Sequence, residues 1–207
     1  MKALLLIDIQ NDFIPGGALA VPEGDAIIPV VNQLQPLFDL VIATQDWHPA
    51  NHKSFASNHS SYQVFEKIDL DGLEQVLWPD HCRQGSEGAA FSTELQMNQV
   101  EAIFRKGTSP EIDSYSGFYD NGHRKSTCLA DYFRGKQVTE VYLAGLAGDY
   151  CVYFSAKDAL QEKFTTYLID DAIRAINKED YEKAKADIRL KGGKIITSSD
   201  LLQKTLP

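Results

Sequence analysis

Three cysteines, Cys82, Cys128 and Cys151, in 207 residues are an odd count at irregular spacing, unlike the disulfide framework of a secreted domain. The chain opens without a basic n-region, long apolar stretch and cleavage site, and no run approaches the ~20 apolar residues of a membrane-spanning helix. Reduced thiols, a cytoplasmic location and no membrane partner are the expectation. Basic charge is scarce as well: 20 Lys and Arg stand against 29 Asp and Glu, a net charge of −9. Phosphate recognition is built on clustered cations, so this balance argues against a nucleic-acid partner and favours a small neutral or cationic molecule. Neither G-x-G-x-x-G nor G-x-x-x-x-G-K-[ST] occurs, which removes the common nucleotide-phosphate turns. Self-association is left open.

What is present is an alternation. The composition, 43% hydrophobic and 24% charged, is ordinary for a folded chain, and its length suits one large domain over 1–207. Lys2 to Ile7, Leu40 to Thr44, Val100 to Arg105, Val141 to Leu146, Thr165 to Ile169 and Lys194 to Thr197 read as short buried strands. Between them, Asp25 to Phe38, Ser126 to Phe133, Tyr150 to Gln161 and Lys178 to Leu190 carry helical spacing. Ser126 is the expected N-cap of the second helix, and Gly135 lies just past its end. Six strands alternating with helices predict a three-layer α/β/α domain around a mainly parallel sheet. Residues 46–99 form a long stretch rich in His, Ser, Asn and Gly with little helical content, which reads as a functional insertion.

Four of the apolar runs end on reactive residues: Asp8, Asp46, Lys106 and, just beyond a turn of small residues, Cys151. In an open parallel sheet these would gather at the carboxyl edge, where the ligand crevice lies. A thiol at a helix N-terminus is expected to have a lowered pKa, and the free N–H groups there can hold an oxyanion. A carboxylate and an ammonium supply a proton acceptor and a charge-stabilising donor without a histidine. Each residue alone has an ordinary alternative: buried filler for Cys151, a cap for Asp8, a loop cation for Lys106.

Asp46 and His48 stand two apart, on one side of extended chain, and His81 follows later in the insertion. One carboxylate and two imidazoles, with room for water or substrate, suit one divalent ion, Zn²⁺, Fe²⁺ or Mn²⁺. His52 is four residues from His48, yet Pro49 disfavours the helix that would align them. His59 is a weaker candidate, and Cys82 reads as packing. Phe13 and Trp78 are placed to flank the crevice with aromatic walls suited to a flat ring.

Taken together, Leu6-Ile-Asp-Ile-Gln-Asn-Asp-Phe13, Thr44-Gln-Asp-Trp-His-Pro49, Trp78-Pro-Asp-His-Cys82, Phe104-Arg-Lys-Gly107 and Gly145-Leu-Ala-Gly-Asp-Tyr-Cys-Val152 resemble the nicotinamidases (pyrazinamidases) of the isochorismatase-like cysteine hydrolases. The likeness spans nearly the whole chain, with its motifs in order. It implies the isochorismatase-like hydrolase fold and hydrolysis of nicotinamide to nicotinate and ammonia through a cysteine thioester. It further implies catalytic Asp8, Lys106 and Cys151, an oxyanion hole from the N–H groups of Ala147 and Cys151, and a cis Leu146–Ala147 peptide. Asp46, His48 and His81 are the implied metal ligands, His52 or Ser54 is open as an additional one, and Tyr115 is expected to join Phe13 and Trp78 around the substrate. One departure stands out: Gly148 occupies a position that is usually Thr, which removes a hydroxyl and adds backbone freedom beside the oxyanion donors. The alternatives are an amidase of the same superfamily acting on a carbamoyl or ureido group, and a non-catalytic thiol sensor.

Overall fold

The computed structural model of the chain describes residues 1–203. Six strands form one sheet: β1 (Lys2–Ile7), β2 (Leu40–Asp46), β5 (Val100–Lys106), β6 (Glu140–Gly145), β7 (Thr165–Ile173) and β8 (Lys194–Ile196). Their spatial order is β5-β2-β1-β6-β7-β8, and every neighbouring pair is parallel. The chain therefore winds outward from β1 in one direction and from β6 in the other, and the crevice such a reversal creates lies at the carboxyl ends of those two strands.

Side chains of β1 alternate between the two faces. Ala3, Leu5 and Ile7 pack into the layer that includes helices α2 (Leu129–Gly135), α3 (Cys151–Gln161) and α4 (Lys178–Leu190). Leu4 and Leu6 face the other layer, with α1 (Ile28–Leu34) and α5 (Ser198–Leu202). Both faces of the strand are covered, which is why its sequence is a continuous apolar run. Truncating one of these leucines to alanine removes about 2–5 kcal/mol of stability. Among the described residues, no helix is long and apolar enough to cross a membrane.

The structure departs from the sequence expectations at several boundaries. The helix expected over 25–38 is α only at Ile28–Leu34, flanked by 3-10 turns at Gly24–Ile27 and Gln35–Leu37; Pro36 cannot supply the N–H that would continue it. Ser126 is not the N-cap of α2. Its hydroxyl accepts from Cys128 N, Cys128 is left-handed at φ +67°, and the helix starts only at Leu129, with Gly135 inside its end. Strand β7 continues to Ile173, because Asp170 and Asp171, polar in pattern, find partners in Tyr181 and Ser198. The α5 turn was absent from the sequence reading and is started by a reciprocal Thr197–Asp200 cap.

Within 46–99 the structure adds a hairpin of β3 (Lys67–Leu70) and β4 (Leu73–Val76). Its turn is Asp71-Gly72, with φ of +55° and +81°, the signature of a tight two-residue loop whose twist suits antiparallel strands.

Candidate active site

Asp8 follows the last residue of β1 in a left-handed conformation, φ +49°, which turns its carboxylate into the crevice. Thr44 Oγ1 donates to Asp8 Oδ1 at 2.6 Å, and the Lys106 ammonium lies 2.9 Å from Oδ2. Lys106 ends β5 on the same rung as Asp46 at the end of β2, so the register itself makes their contact, 2.5 Å from Nζ to Asp46 Oδ1. The same amine donates to Ser114 O at 2.9 Å and lies 3.4 Å from Cys151 Sγ. Cys151 is the first residue of α3, and its sulfur lies within 4.8 Å of carboxylate oxygens of Asp8 and Asp46. Residues from four separate strand ends thus meet around one buried amine.

Burial and charge oppose each other here. Burial pushes the Asp8 carboxyl up to about 6 against the pull of Lys106. Burial would also raise Asp46, yet Lys106, His48 and His81 overcome it and hold that carboxyl well below the usual range. Lys106 is desolvated too, but Asp46, Asp8 and Cys151 keep it an ammonium. The Cys151 thiol is raised by burial, with Asp8 and Asp46 adding to that and Lys106 opposing. The expectation of a thiol lowered by its helix N-terminus is therefore corrected: a terminus contributes only about 0.3–1 kcal/mol at exposed sites, too little against full burial beside two carboxylates.

The imidazoles meet Asp46 from its other side. His48 Nε2 is 3.5 Å and His81 Nε2 3.9 Å from Asp46 Oδ2. The opposite nitrogens are engaged, His48 Nδ1 with Gly107 O at 3.0 Å and His81 Nδ1 with Pro79 O at 2.8 Å. Each Nδ1–H donates to a carbonyl and turns its Nε2 toward Asp46, the outer support that metal-binding histidines use; burial lowers His48, but Asp46 overcomes it and raises that imidazole. Burial, with His48 adding to it, pushes His81 down to about 4, so its ring is neutral. Gly107, at φ +63°, is required by proximity: a Cβ there would stand 2.2 Å from the His48 ring.

His52 also reaches this cluster. A turn rather than a helix brings it there, His52 N bonding Pro49 O at 3.0 Å, and its ring lies 4.5 Å from that of His48. Its Nδ1 engages Ser54 Oγ at 2.7 Å, while its buried Nε2 has no partner among the described residues. His48, His52 and Asp113 form a second set of converging donor atoms. His59 lies apart, bonded to Lys53 O, and Cys82 is core packing.

Phe13, Trp78 and Tyr115 all line one pocket with Cys151, Ala147, Asp46 and His81, a cavity of about 340 Å³ counted with its open mouth. Asp113, Tyr150, Leu19 and Ile176 complete the wall and escaped the sequence reading, as did Thr44 behind Asp8. Tyr150 had a signal, its place next to Cys151; its ring stands edge-on to Trp78 at 4.9 Å. Trp78 Nε1 donates to the Tyr115 hydroxyl at 3.3 Å. The segment bearing Tyr115 is fastened to the nucleophile's helix by Gly117 N donating to Ser155 Oγ at 2.8 Å. The Leu146–Ala147 peptide is cis. The N–H groups of Ala147 and Cys151 have no acceptor among the described residues, whereas Ala147 O accepts from both Tyr150 and Val152 at 3.1 Å.

The Isochorismatase domain model matches residues 2–200. The chain belongs to the isochorismatase family. Within that family it is 46% identical to a nicotinamidase of Escherichia coli (strain K12) over 205 residues, 96% of each chain. Among solved structures, an Acinetobacter baumanii nicotinamidase pyrazinamidase superposes with a TM-score of 0.94 at 44% identity, covering 97% of both chains. A Pyrococcus horikoshii pyrazinamidase in complex with zinc gives 0.79 at 40% identity, over 95% of this chain and 98% of that one. The six-stranded parallel sheet of this isochorismatase-family chain is the fold of those neighbours.

Proposed function

We propose that this chain is a nicotinamidase, hydrolysing nicotinamide to nicotinate and ammonia through a thioester on Cys151. The observation that carries the reading is the single amine of Lys106 touching Asp8, Asp46 and Cys151 at once. The E. coli nicotinamidase, 46% identical over 96% of both chains, supports the substrate. The catalytic unit spans 1–207, and the insertion at 46–99 supplies the metal ligands and one pocket wall.

Asp8 accepts the thiol proton, and the sulfur attacks the carboxamide carbon. The negative charge that develops on the amide oxygen is held by the N–H groups of Ala147 and Cys151, donors fixed in a dry site before the reaction begins. Asp8 returns its proton to the departing nitrogen, and ammonia leaves the acyl-enzyme. A water molecule then gives a proton to Asp8 while its oxygen adds to the thioester carbonyl; collapse releases nicotinate, and the sulfur recovers the proton. Lys106 keeps Asp8 in register and balances charge throughout. Phe13, Trp78 and Tyr115 enclose the pyridine ring.

The Nε2 atoms of His48 and His81 converging on the Asp46 carboxylate fit a divalent ion. Asp46, His48 and His81 would hold it, with His52 nearer to hand than Ser54, whose hydroxyl is already taken by His52. Such an ion, zinc in the P. horikoshii structure and zinc, iron or manganese by ligand chemistry, supplies an electropositive anchor for the ring nitrogen.

The deciding assay is ammonia release from nicotinamide by the native protein, by Cys151→Ala and by protein stripped of metal. Release above the Cys151→Ala background is expected. Its absence at full metal occupancy, with release from a ureido or carbamoyl substrate instead, overturns the assignment.

A further inference from the structure

Gly148 is not a glycine for reasons of backbone angle, since it is absent from the residues with positive φ. It is a glycine for reasons of space. A Cβ at this position would stand 2.8 Å from Ile173 Cγ2 and 2.8 and 2.9 Å from Cδ2 and Cε2 of Tyr181. The Tyr181 ring comes from the first turn of α4, not from the loop it touches, and it is 7% exposed. Its place is fixed from behind. The hydroxyl donates to Asp170 Oδ1 at 3.0 Å, and the Lys185 ammonium lies 4.7 Å over the ring while standing 3.1 Å from Asp170.

The remaining ties on this loop come from the same direction. Gly148 N donates to Arg174 O at 2.7 Å. The Asp149 carboxylate accepts from Ile176 N at 3.0 Å and Asn177 N at 2.8 Å. The segment that leads from β7 into α4 therefore holds the backbone of 148–149 by three hydrogen bonds and one ring. A glycine at 148 without that ring would have the widest backbone freedom of any residue, directly beside Ala147.

We propose that Tyr181 is a positioning residue for the oxyanion-holding loop: its ring fills, from α4, the space a side chain at 148 would fill, so that positions 148 and 181 act as one coupled pair. The inference rests on the assignment of the Ala147 and Cys151 N–H groups to the oxyanion. It also answers the departure seen in the sequence, because the freedom introduced by Gly148 is taken up by a residue more than thirty positions later.

The test is a double-mutant cycle on the metal-loaded full chain, with Tyr181→Ala, Gly148→Thr and the double variant, each normalised by titrating the active Cys151. Two readouts separate positioning from mere packing: kcat against KM for nicotinamide, and inhibition by nicotinaldehyde, whose carbonyl accepts the thiolate to give a tetrahedral adduct with the same oxygen position. Tyr181→Ala is expected to lower kcat about tenfold to hundredfold, within the loss seen when an oxyanion donor is disturbed. KM should move less than about threefold and nicotinaldehyde should weaken in step with kcat. Gly148→Thr alone is expected to be impaired at least as much, and the double variant to recover most of the loss. Tyr181→Phe, which keeps the ring and drops only the hydroxyl, should stay close to native.

Should Tyr181→Ala fold poorly, Tyr181→Leu measured well below its melting temperature gives the same comparison. Native kcat and aldehyde affinity in Tyr181→Ala or Tyr181→Leu, or losses in the double variant that simply multiply, overturn the proposal. Turnover that survives Cys151→Ala overturns instead the catalytic assignment beneath it.

Discussion

Strand register sets one half of the pocket, whereas the half contributed by residues 46–99 is set by isolated bridges and by side chains that reach backbone. Asp8 and Lys106 sit where β1 and β5 stop, and Cys151 one short turn beyond β6; the ladders Ile7↔Gly145 and Asp46↔Lys106 fix their spacing. His48 and His81 stand on two straps joined to each other by the isolated bridges His48↔Arg83 and Phe55↔Trp78 and to the rest of the chain by side chains and scattered backbone bonds. Examples are His48 N to Cys82 O at 3.0 Å, Trp78 N to Ser54 O at 2.8 Å, and Cys82 N to Asp12 Oδ2 at 2.7 Å. Gln10 joins the two halves, its amide donating to Asp46 O at 2.9 Å and Ala89 O at 2.8 Å while its oxygen accepts from Asp46 N. The lesson is a division of labour: cooperative backbone ladders hold the groups that exchange protons, and a looser scaffold, which a bound ion would cross-link, holds the groups that grip the ligand.

The contrast is sharpest in activity. Cys151→Ala should abolish turnover to the background while leaving the melting temperature within a few degrees, read by ammonia release and calorimetry; Asp8→Asn should cost at least about a hundredfold in kcat. Lys106→Met strikes the strand-end half structurally, leaving Asp8 and Asp46 buried without their cation. A loss of about 3–5 kcal/mol is expected, some 10 °C in a chain of this size, and an unchanged melting temperature would deny the amine its place at the centre.

Chelation should discriminate between the halves directly. Hydrogen exchange is expected to quicken over 47–59 and 77–92 while β1 and β6 keep their protection; loosening of the sheet to the same degree would erase the difference between the two halves. Gln10→Ala removes the shared tie and strips the buried Asp46 N–H and C=O of their side-chain partner, while Ala89 O keeps Gln45 Nε2 at 2.9 Å; a cost of about 1–3 kcal/mol is expected in denaturant melts. Smallest of all, a maleimide applied while nicotinate shields Cys151 should modify exposed Cys128 without loss of rate, whereas buried Cys82 stays unmodified until the chain unfolds.

How much of this was legible follows the same division. Asp8, Lys106 and Cys151 could be read because each closes or follows an apolar run, and parallel strands bring their ends together whatever the order. The rung shared by Asp46 and Lys106, and the bond from Thr44 to Asp8, depend on register, which an apolar run does not specify. The thiol's raised pKa depends on depth of burial, which the helix-terminus argument ignores. In the insertion, Asp71-Gly72 announced a hairpin that went unread because β3 and β4 are half-exposed and carry no apolar run. His52 stayed open beside Ser54 because Pro49 disfavours the helix that would align it with His48; a single turn brings its ring there instead. Pro36 likewise marked where the helix begun at Ile28 had to stop.

The bond between Ser155 and Gly117 has an evolutionary corollary. Helix α3 carries the sulfur at one end and, a turn later, clasps the segment that presents the Tyr115 ring, while the amine of Lys106 grips that segment again at Ser114. Selectivity and speed are consequently carved into one rigid frame. Any drift that widens the range of rings admitted will also shift the atom that attacks them, so new substrates are to be expected in this lineage through exchange of Phe13, which sits in the turn after β1 and outside that frame.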